Sequence, residues 1–273
     1  MEKIFLIVGI CSCTLFGLAQ EKETYDILSV SGSITDRKTG KALAIGSKIS
    51  LQTEIQFGGI NDKAILISPA KVKYRLEIPE ALFAENRLVF SSHQLLQSVL
   101  SRSTPLTAVR GVAAALSAEG VSVKSLRDYL GVDTFSIIGS TLRLPVSKED
   151  NARCKLTLAF DGEGTTDVTK VKLDDFTLSR AALNLADRRT EIKECFVMLD
   201  NGKETLPVTR ICLIFVDEDR LPKEFAALLS ALNIKKANTA DNQRLLQQYC
   251  LDVYGNIDRK SLNDAIDRFL TSR

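Results

Sequence analysis

The chain has 273 residues, 45% of them hydrophobic and 26% charged, with 36 Lys and Arg against 34 Asp and Glu and a formal net charge of +2. That is an ordinary globular composition with enough apolar matter for one or two domains. The near balance of charge excludes the basic footprint of a nucleic-acid or polyanion binder, and a single histidine excludes His-rich zinc sites, HExxH helices and most catalytic triads.

Residues 1–19 read as a secretory signal, with Lys3 as the charged start, Ile4 to Leu18 as the apolar segment and Gly17-Leu18-Ala19 as a small-x-small cleavage site before Gln20. Cleavage there removes Glu2 and Lys3 and leaves the net charge at +2. The competing address is a lipoprotein tethered at Cys13, through the loose lipobox Ile10-Cys11-Ser12-Cys13. The chain stays apolar beyond Cys13, which favours cleavage after Ala19. The apolar segment is short for a membrane span and no second run of spanning length follows, so the mature chain is expected to be soluble or peripheral. Cys154, Cys195, Cys212 and Cys250 remain in an oxidising compartment, either paired in one of three ways or buried as free thiols.

Tyr25 to Thr35 is expected to be a strand, and Asp36 to Gly40 carries turn chemistry leading to Ala42 to Ile45. From Gly46 to Pro79 the polarity has a period of two. Ile49, Leu51, Thr53, Ile55 and Phe57 alternate with polar residues, as do Val72, Tyr74, Leu76 and Ile78 with Lys73, Arg75 and Glu77. With the apolar run Ala64 to Ile67 between them and a turn at Ser68-Pro69-Ala70-Lys71, this predicts a three-stranded meander in a small barrel or sandwich.

Ser91 is expected to begin a helix, because Ser91-x-x-Gln94 is a capping box and Leu95, Leu96, Val99 and Leu100 form one stripe. Thr104 to Gly120 is expected to be part helix and part connection. Val123 to Leu130 reads as a short helix closed by Gly131, and Thr134 to Leu144 as strand. Alternation resumes in KLTLAF from Lys155, in VTKVKL and in DFTLSRAALNL. Ile192 to Leu199 and Val208 to Val216 flank Asn201-Gly202, a hairpin signal. A tight, unbulged turn there sets Asp200 opposite Lys203 and Cys195 opposite Val208, so that Cys195 and Cys212 are not disulfide partners and at most one bridge forms. The last sixty residues are helical by pattern, with stripes at Phe225, Leu228, Leu229 and Leu232, at Leu245 to Tyr254 before Gly255, and at Leu262 to Leu270 after an Asp258 cap. Cys250, on the apolar side of its helix, is expected in the core where that helix packs on the C-terminal sheet.

These readings give an α+β protein: a signal peptide at 1–19, a β module at 20–80, a mixed helix and strand region at 81–150, and a C-terminal α+β region at 151–273 that ends in three helices. A mature start at Gln-Glu after Leu-Ala resembles exported proteins of the Bacteroidetes phylum. The phrase VSGSITDRKTGKAL resembles the opening of the carboxypeptidase-regulatory-like β-sandwich, and GSKISLQTEI with KAILISPAKVKYRL is similar in strand rhythm to FecR-type or SH3-like modules. LRDYLGVDTFSIIG, VDEDRLPKEF and QQYCLDVYGNIDRKSL resemble an uncharacterised family of exported Bacteroidetes proteins, a resemblance that implies no activity.

Candidate chemistry is sparse. His93 falls near the start of an expected helix with no base-orienting partner in view, and reads as a surface residue. Ser68-x-x-Lys71 and Lys38-Thr39-Gly40 imitate motifs of penicillin-recognising enzymes, but in the wrong order and without a third motif. Asp217, Glu218 and Asp219 crowd a strand end, where they could hold a cation or complement the helix start near Pro222. Asp161-Gly-Glu-Gly164 is too short for a calcium loop, and no Rossmann or Walker glycine pattern occurs. Lys71, Lys73 and Arg75 form a cationic strand face, either solvated or a binding face. No cofactor pattern is present. The expectation is a non-catalytic envelope or cell-surface binding protein whose partner is another envelope or surface protein, with a metal-assisted hydrolase using Asp217 to Asp219 as the rival.

Overall fold

A computed structural model describes residues 23–79, 82, 88–98, 121–161, 168–173, 175–185 and 191–272. The signal segment, Thr104 to Gly120 and the Asp161-Gly-Glu-Gly164 loop beyond Asp161 lie outside the described residues, as does the His93 side chain. The architecture is mixed α+β. Its sheets are open, so the barrel alternative is corrected.

The N-terminal half contains two sheets. Strands β1 (Thr24–Ser31), β3 (Lys48–Ser50), β5 (Lys63–Ile67), β6 (Lys73–Glu77) and β8 (Leu96–Ser98) make a five-stranded sheet in the order β3-β1-β5-β6-β8. Strands β2 (Ile34–Asp36), β4 (Glu54–Phe57) and β7 (Val89–Ser91) make a three-stranded one in the order β2-β4-β7. Both contribute to one core, which joins Ile27, Leu66 and Leu76 to Ile34, Ile55, Phe57 and Phe90.

Two expected strands are each cut in half by this arrangement. The first breaks at Gly32, whose φ of 83° is open to glycine. A Cβ there would stand 1.8 Å from Asp62 Oδ1, and the Asp62 carboxylate accepts from Ser33 N at 3.1 Å and Gly59 N at 2.8 Å. The second breaks at Leu51-Gln52, where Thr53 N donates to Ser50 O at 3.1 Å and Ser50 N to Thr53 Oγ1 at 3.2 Å. At both breaks the chain turns a corner from one sheet to the other, while its apolar side chains continue to face the same core. The expected meander is therefore corrected: only the β5–β6 hairpin survives, and β5 takes β1 as its other neighbour.

The expected helix from Ser91 is also corrected. A single turn, α1 (Ser92–Leu95), separates β7 from β8, and β8 pairs with β6 through Leu76↔Leu96. The open edge of β6 takes up backbone groups that the local pattern assigned to a helix.

In the C-terminal half, α2 (Val123–Leu130) begins with a capping box between Ser122 and Ser125. The expected Thr134 to Leu144 strand appears as β9 (Thr134–Ile138) and β10 (Thr141–Arg143). The turn α3 (Lys148–Arg153) leads into β11 (Lys155–Asp161), β12 (Val168–Leu173), β13 (Thr177–Ser179), β14 (Glu191–Asp200) and β15 (Thr205–Val216). Helices α4 (Leu221–Ala231), α5 (Ala240–Tyr254) and α6 (Arg259–Thr271) follow, with β16 (Asn256–Ile257) between the last two. The main sheet runs β12-β11-β14-β15-β9-β16, antiparallel except where β9 pairs with β15 and β16.

The β14–β15 hairpin is wider than Asn-Gly predicts. Asp200 faces Thr205, Cys195 faces Ile211, and the register shifts between Ile192 and Cys195 and between Val197 and Met198. The Asn201 side chain accepts from Lys203 N and Glu204 N, both at 3.0 Å, and Asp200 Oδ1 accepts from Gly202 N at 2.9 Å. These side-chain bonds favour the longer loop. The sulfurs of Cys154, Cys195, Cys212 and Cys250 are all free thiols.

The three C-terminal helices form at their stripes. Asp258 caps α6 by accepting from Ser261 N at 2.8 Å. Gly255 closes α5 at φ 74°, with its Cα so near Thr134 that a Cβ would lie 2.9 Å from Thr134 Cβ. The helices cover one face of the main sheet, and the same core includes Leu28, Ile65 and Ile67 from the five-stranded sheet. Strand β5 is thus buried on both faces, with Ala64 and Leu66 toward the N-terminal core and Ile65 and Ile67 toward the helices. This explains its uninterrupted apolar run. Each of Leu28, Ile65 and Ile67 contributes roughly 1.5–3 kcal/mol of burial to the junction.

Candidate functional site

Strand register decides what faces the junction. Directly opposed residues share a face, and Ile65 stands opposite Ser29 on one side and Arg75 on the other. One row further on, Lys63 stands opposite Ser31 and Glu77; one row back, Ile67 stands opposite Lys73. The cationic strand face singled out in the sequence therefore looks toward the C-terminal helices.

Two of its three cations are engaged there. Lys71, at φ 66° in the β5–β6 turn, donates from Nζ to Ala231 O at the end of α4. Lys73 pairs with Asp252 of α5, and this carboxylate, fully buried, also accepts from Gln248 Nε2 at 2.7 Å. Breaking such a buried pair leaves an uncompensated charge and costs about 3–5 kcal/mol. Arg75 differs. Among the described residues its nearest counter-charge is Glu77, at 3.8 Å from Nη1 and about a third exposed, and its Nε is buried with no hydrogen-bond partner. An unsatisfied buried donor costs on the order of 1–3 kcal/mol.

A second knot lies beside this face. Glu224, on the apolar side of α4, is fully buried and accepts from Arg220 Nε at 2.6 Å, Tyr249 OH at 3.0 Å and Tyr254 OH at 2.7 Å. Arg220 Nη2 in turn donates to Ser29 Oγ of β1, so the network crosses from the C-terminal helices to the N-terminal sheet. Burial and then the Glu224 charge push the Tyr249 and Tyr254 hydroxyls well above the usual phenol range. Burial opposes the Arg220 charge, but Tyr254 and Glu224 more than restore it and its pKa rises. Every element here is a satisfied donor or acceptor, and the carboxylate is fully subscribed.

Between the sheets lies a cleft of about 180 Å³. Ser29, Ser31, Lys63, Ile65 and Arg75 form one wall. The end of β15 from Ile214 to Asp217, Arg220, Val253 and Tyr254 form the other, and Glu191 completes the lining. Lys63 Nζ lies 3.2 Å from Glu191 Oε2, and Arg220 is held by Glu224.

The acidic run after β15 is arranged otherwise. Asp217, Glu218 and Asp219 are all exposed. Asp217 Oδ1 accepts from Asp219 N at 3.2 Å, and Glu218 Oε2 lies 3.6 Å from Arg268 Nη1. The run directly precedes α4, whose N-cap Arg220 makes no side-chain capping bond. Among the described residues no group of three or more His, Cys, Asp and Glu has the geometry of a metal site.

The remaining candidates are structural. Ser68 Oγ accepts from Val72 N at 3.2 Å in the hairpin turn. Asp36 Oδ1 accepts from Lys38 N at 2.8 Å and Thr39 N at 3.2 Å, which spends Lys38-Thr39-Gly40 on a turn. Burial pushes the Cys195 and Cys212 thiols up to about 12, with Cys212 also raised by Glu191. Burial likewise raises Cys250 well above the thiol range.

The sequence reading missed Glu224 and Asp252. A signal for Glu224 was present: it lies three residues after Leu221 and four before Leu228, on the apolar stripe of an otherwise well-patterned helix. No family model, curated protein or solved structure matched the chain.

Proposed function

We propose that the chain is a non-catalytic binding protein exported to the cell envelope or surface, where its partner is another envelope or surface protein. The observation that carries this reading is that the charged groups at the junction are nearly all spent on structural pairing. Lys73–Asp252 and Lys63–Glu191 pair across it, and Glu224, subscribed by three donors of its own half, reaches Ser29 through Arg220. Nucleophilic chemistry at cysteine would need a thiolate, and the Cys195 and Cys212 thiols are instead held protonated well beyond neutral pH. A rigid body with charged rows at a seam suits recognition. The finer reading of the N-terminal half as a β-sandwich module belongs to the same proposal, and is supported by its two sheets meeting on one core.

The exported address rests on the charged start, apolar segment and small-x-small site of residues 1–19. No helix among the described residues is long and apolar enough to cross a membrane. N-terminal sequencing of the exported form is expected to begin at Gln20; a lipid on Cys13 would overturn the cleaved address. Affinity capture of the mature chain from its own envelope fraction is expected to retain one envelope protein in near-equal amount. Retention of none, together with hydrolysis that depends on added calcium or magnesium, would contradict the reading.

A further inference from the structure

We infer that the cleft between the two sheets is a binding site for a small organic carboxylate with a compact apolar tail, its carboxylate received by the Arg75 guanidinium. The inference goes beyond a protein partner and rests on the non-catalytic reading only in taking the ligand to leave unchanged.

Arg75 is placed for this role by register. It shares a row with Ser29 and Ile65, on the sheet face that looks into the cleft. Of the three cations in the lining, Lys63 is taken by Glu191 and Arg220 by Glu224, while among the described residues Arg75 has only the loose Glu77 contact and a buried Nε with no acceptor. A planar guanidinium with an unused donor matches the two oxygens of a carboxylate. Around it, Ile65, Ile214 and Val253 provide apolar wall, and Ser31 adds a hydroxyl.

Size and charge narrow the class. At about 180 Å³ the cleft falls below the roughly 300–1,000 Å³ of pockets that hold drug-sized molecules. Glu191 and Asp217 stand in the same lining, and their negative charge disfavours a dianion. A monoanion of a few carbons fits both limits, and inorganic phosphate becomes the discriminating control.

The test is calorimetric titration of the mature chain with isovalerate, its neutral isostere isovaleramide and inorganic phosphate. Isovalerate is expected to bind saturably, with isovaleramide and phosphate at least about tenfold weaker, the loss expected when a charge-assisted bond is removed. Arg75→Gln is expected to weaken isovalerate by about tenfold or more while melting close to the parent. Ser31→Ala, in the same lining but without charge, is expected to weaken it less. Equal binding of the amide, tighter binding of phosphate, undiminished binding by a folded Arg75→Gln, or no binding of isovalerate would overturn the inference. Should isovalerate fail while the envelope partner is still captured, the inference falls and the function proposed above stands. Binding followed by turnover of the acid would retain the site and remove the non-catalytic reading.

Discussion

Two acidic features lie within eight residues of one another at the end of β15, and they behave in opposite ways. Asp217, Glu218 and Asp219 form the dense carboxylate run that attracts attention in the sequence, yet all three are exposed and their contacts are loose. Glu224 is a single acid on an apolar helix face, and it is fully buried with three donors converging on it from two helices. Charge density along a sequence therefore says less about energetic weight than does the position of one charge on an amphipathic face. In water the repulsion within such a run, like its pairing with Arg268, is screened to little. Out of water, a lone carboxylate must be fully satisfied or not ionised at all.

The comparison is tested hardest at its buried end. Glu224→Gln removes the counter-charge of Arg220 and should destabilise by about 3–5 kcal/mol, read by urea unfolding. A loss under about 1 kcal/mol would place Glu224 with the exposed acids. Within the N-terminal sheet, Leu76→Ala should cost about 2–5 kcal/mol as a buried truncation, while the adjacent Arg75→Ala, which also removes a buried donor that has no acceptor among the described residues, should cost well under about 1. Equal losses would mean that β6 has its faces exchanged.

Titration separates buried from exposed groups in another way. The Cys195 and Cys212 thiols are raised from 9.0 to about 12 in the folded chain. Unfolding releases their protons above pH 9, so their stabilisation is complete below that value and is lost as pH rises toward 12. Each should contribute a slope of about 1.4 kcal/mol per pH unit inside that window. Cys195→Ala should remove one such slope, and a profile identical to the parent would show that this thiol titrates normally. The smallest effect is expected at the exposed run. Asp217→Asn with Asp219→Asn should shift stability by no more than about 0.5 kcal/mol, and calcium or magnesium should leave the melting temperature of the parent unchanged. A metal-dependent rise that the double variant loses would restore the cation-site reading.

Much of the fold was legible where one periodicity had one cause. The C-terminal helices, the α2 helix and the β5–β6 hairpin follow directly from stripes, caps and alternation. What was hidden is what local pattern cannot encode. Polarity alternates with a period of two straight through the corner at Leu51-Gln52, because both halves of the segment serve the same core from different sheets. Leu96 to Ser98 reads as helix in isolation and becomes strand because the β6 edge is available. At the candidate site, Lys71, Lys73 and Arg75 were visible as a cationic face, but their partners Ala231 and Asp252 lie more than 150 residues away in sequence. No spacing rule links positions so far apart.

The central claim is that the buried Glu224 and Lys73–Asp252 contacts, together with Leu28, Ile65 and Ile67, fuse the two halves into one cooperative body with the cleft at its seam. Differential scanning calorimetry of the mature chain and of Glu224→Gln tests this most directly. A single transition is expected in both, with calorimetric and van't Hoff enthalpies in agreement and with the whole transition lower in the variant. Two resolved transitions in the parent, with only one of them moved by Glu224→Gln, would contradict it.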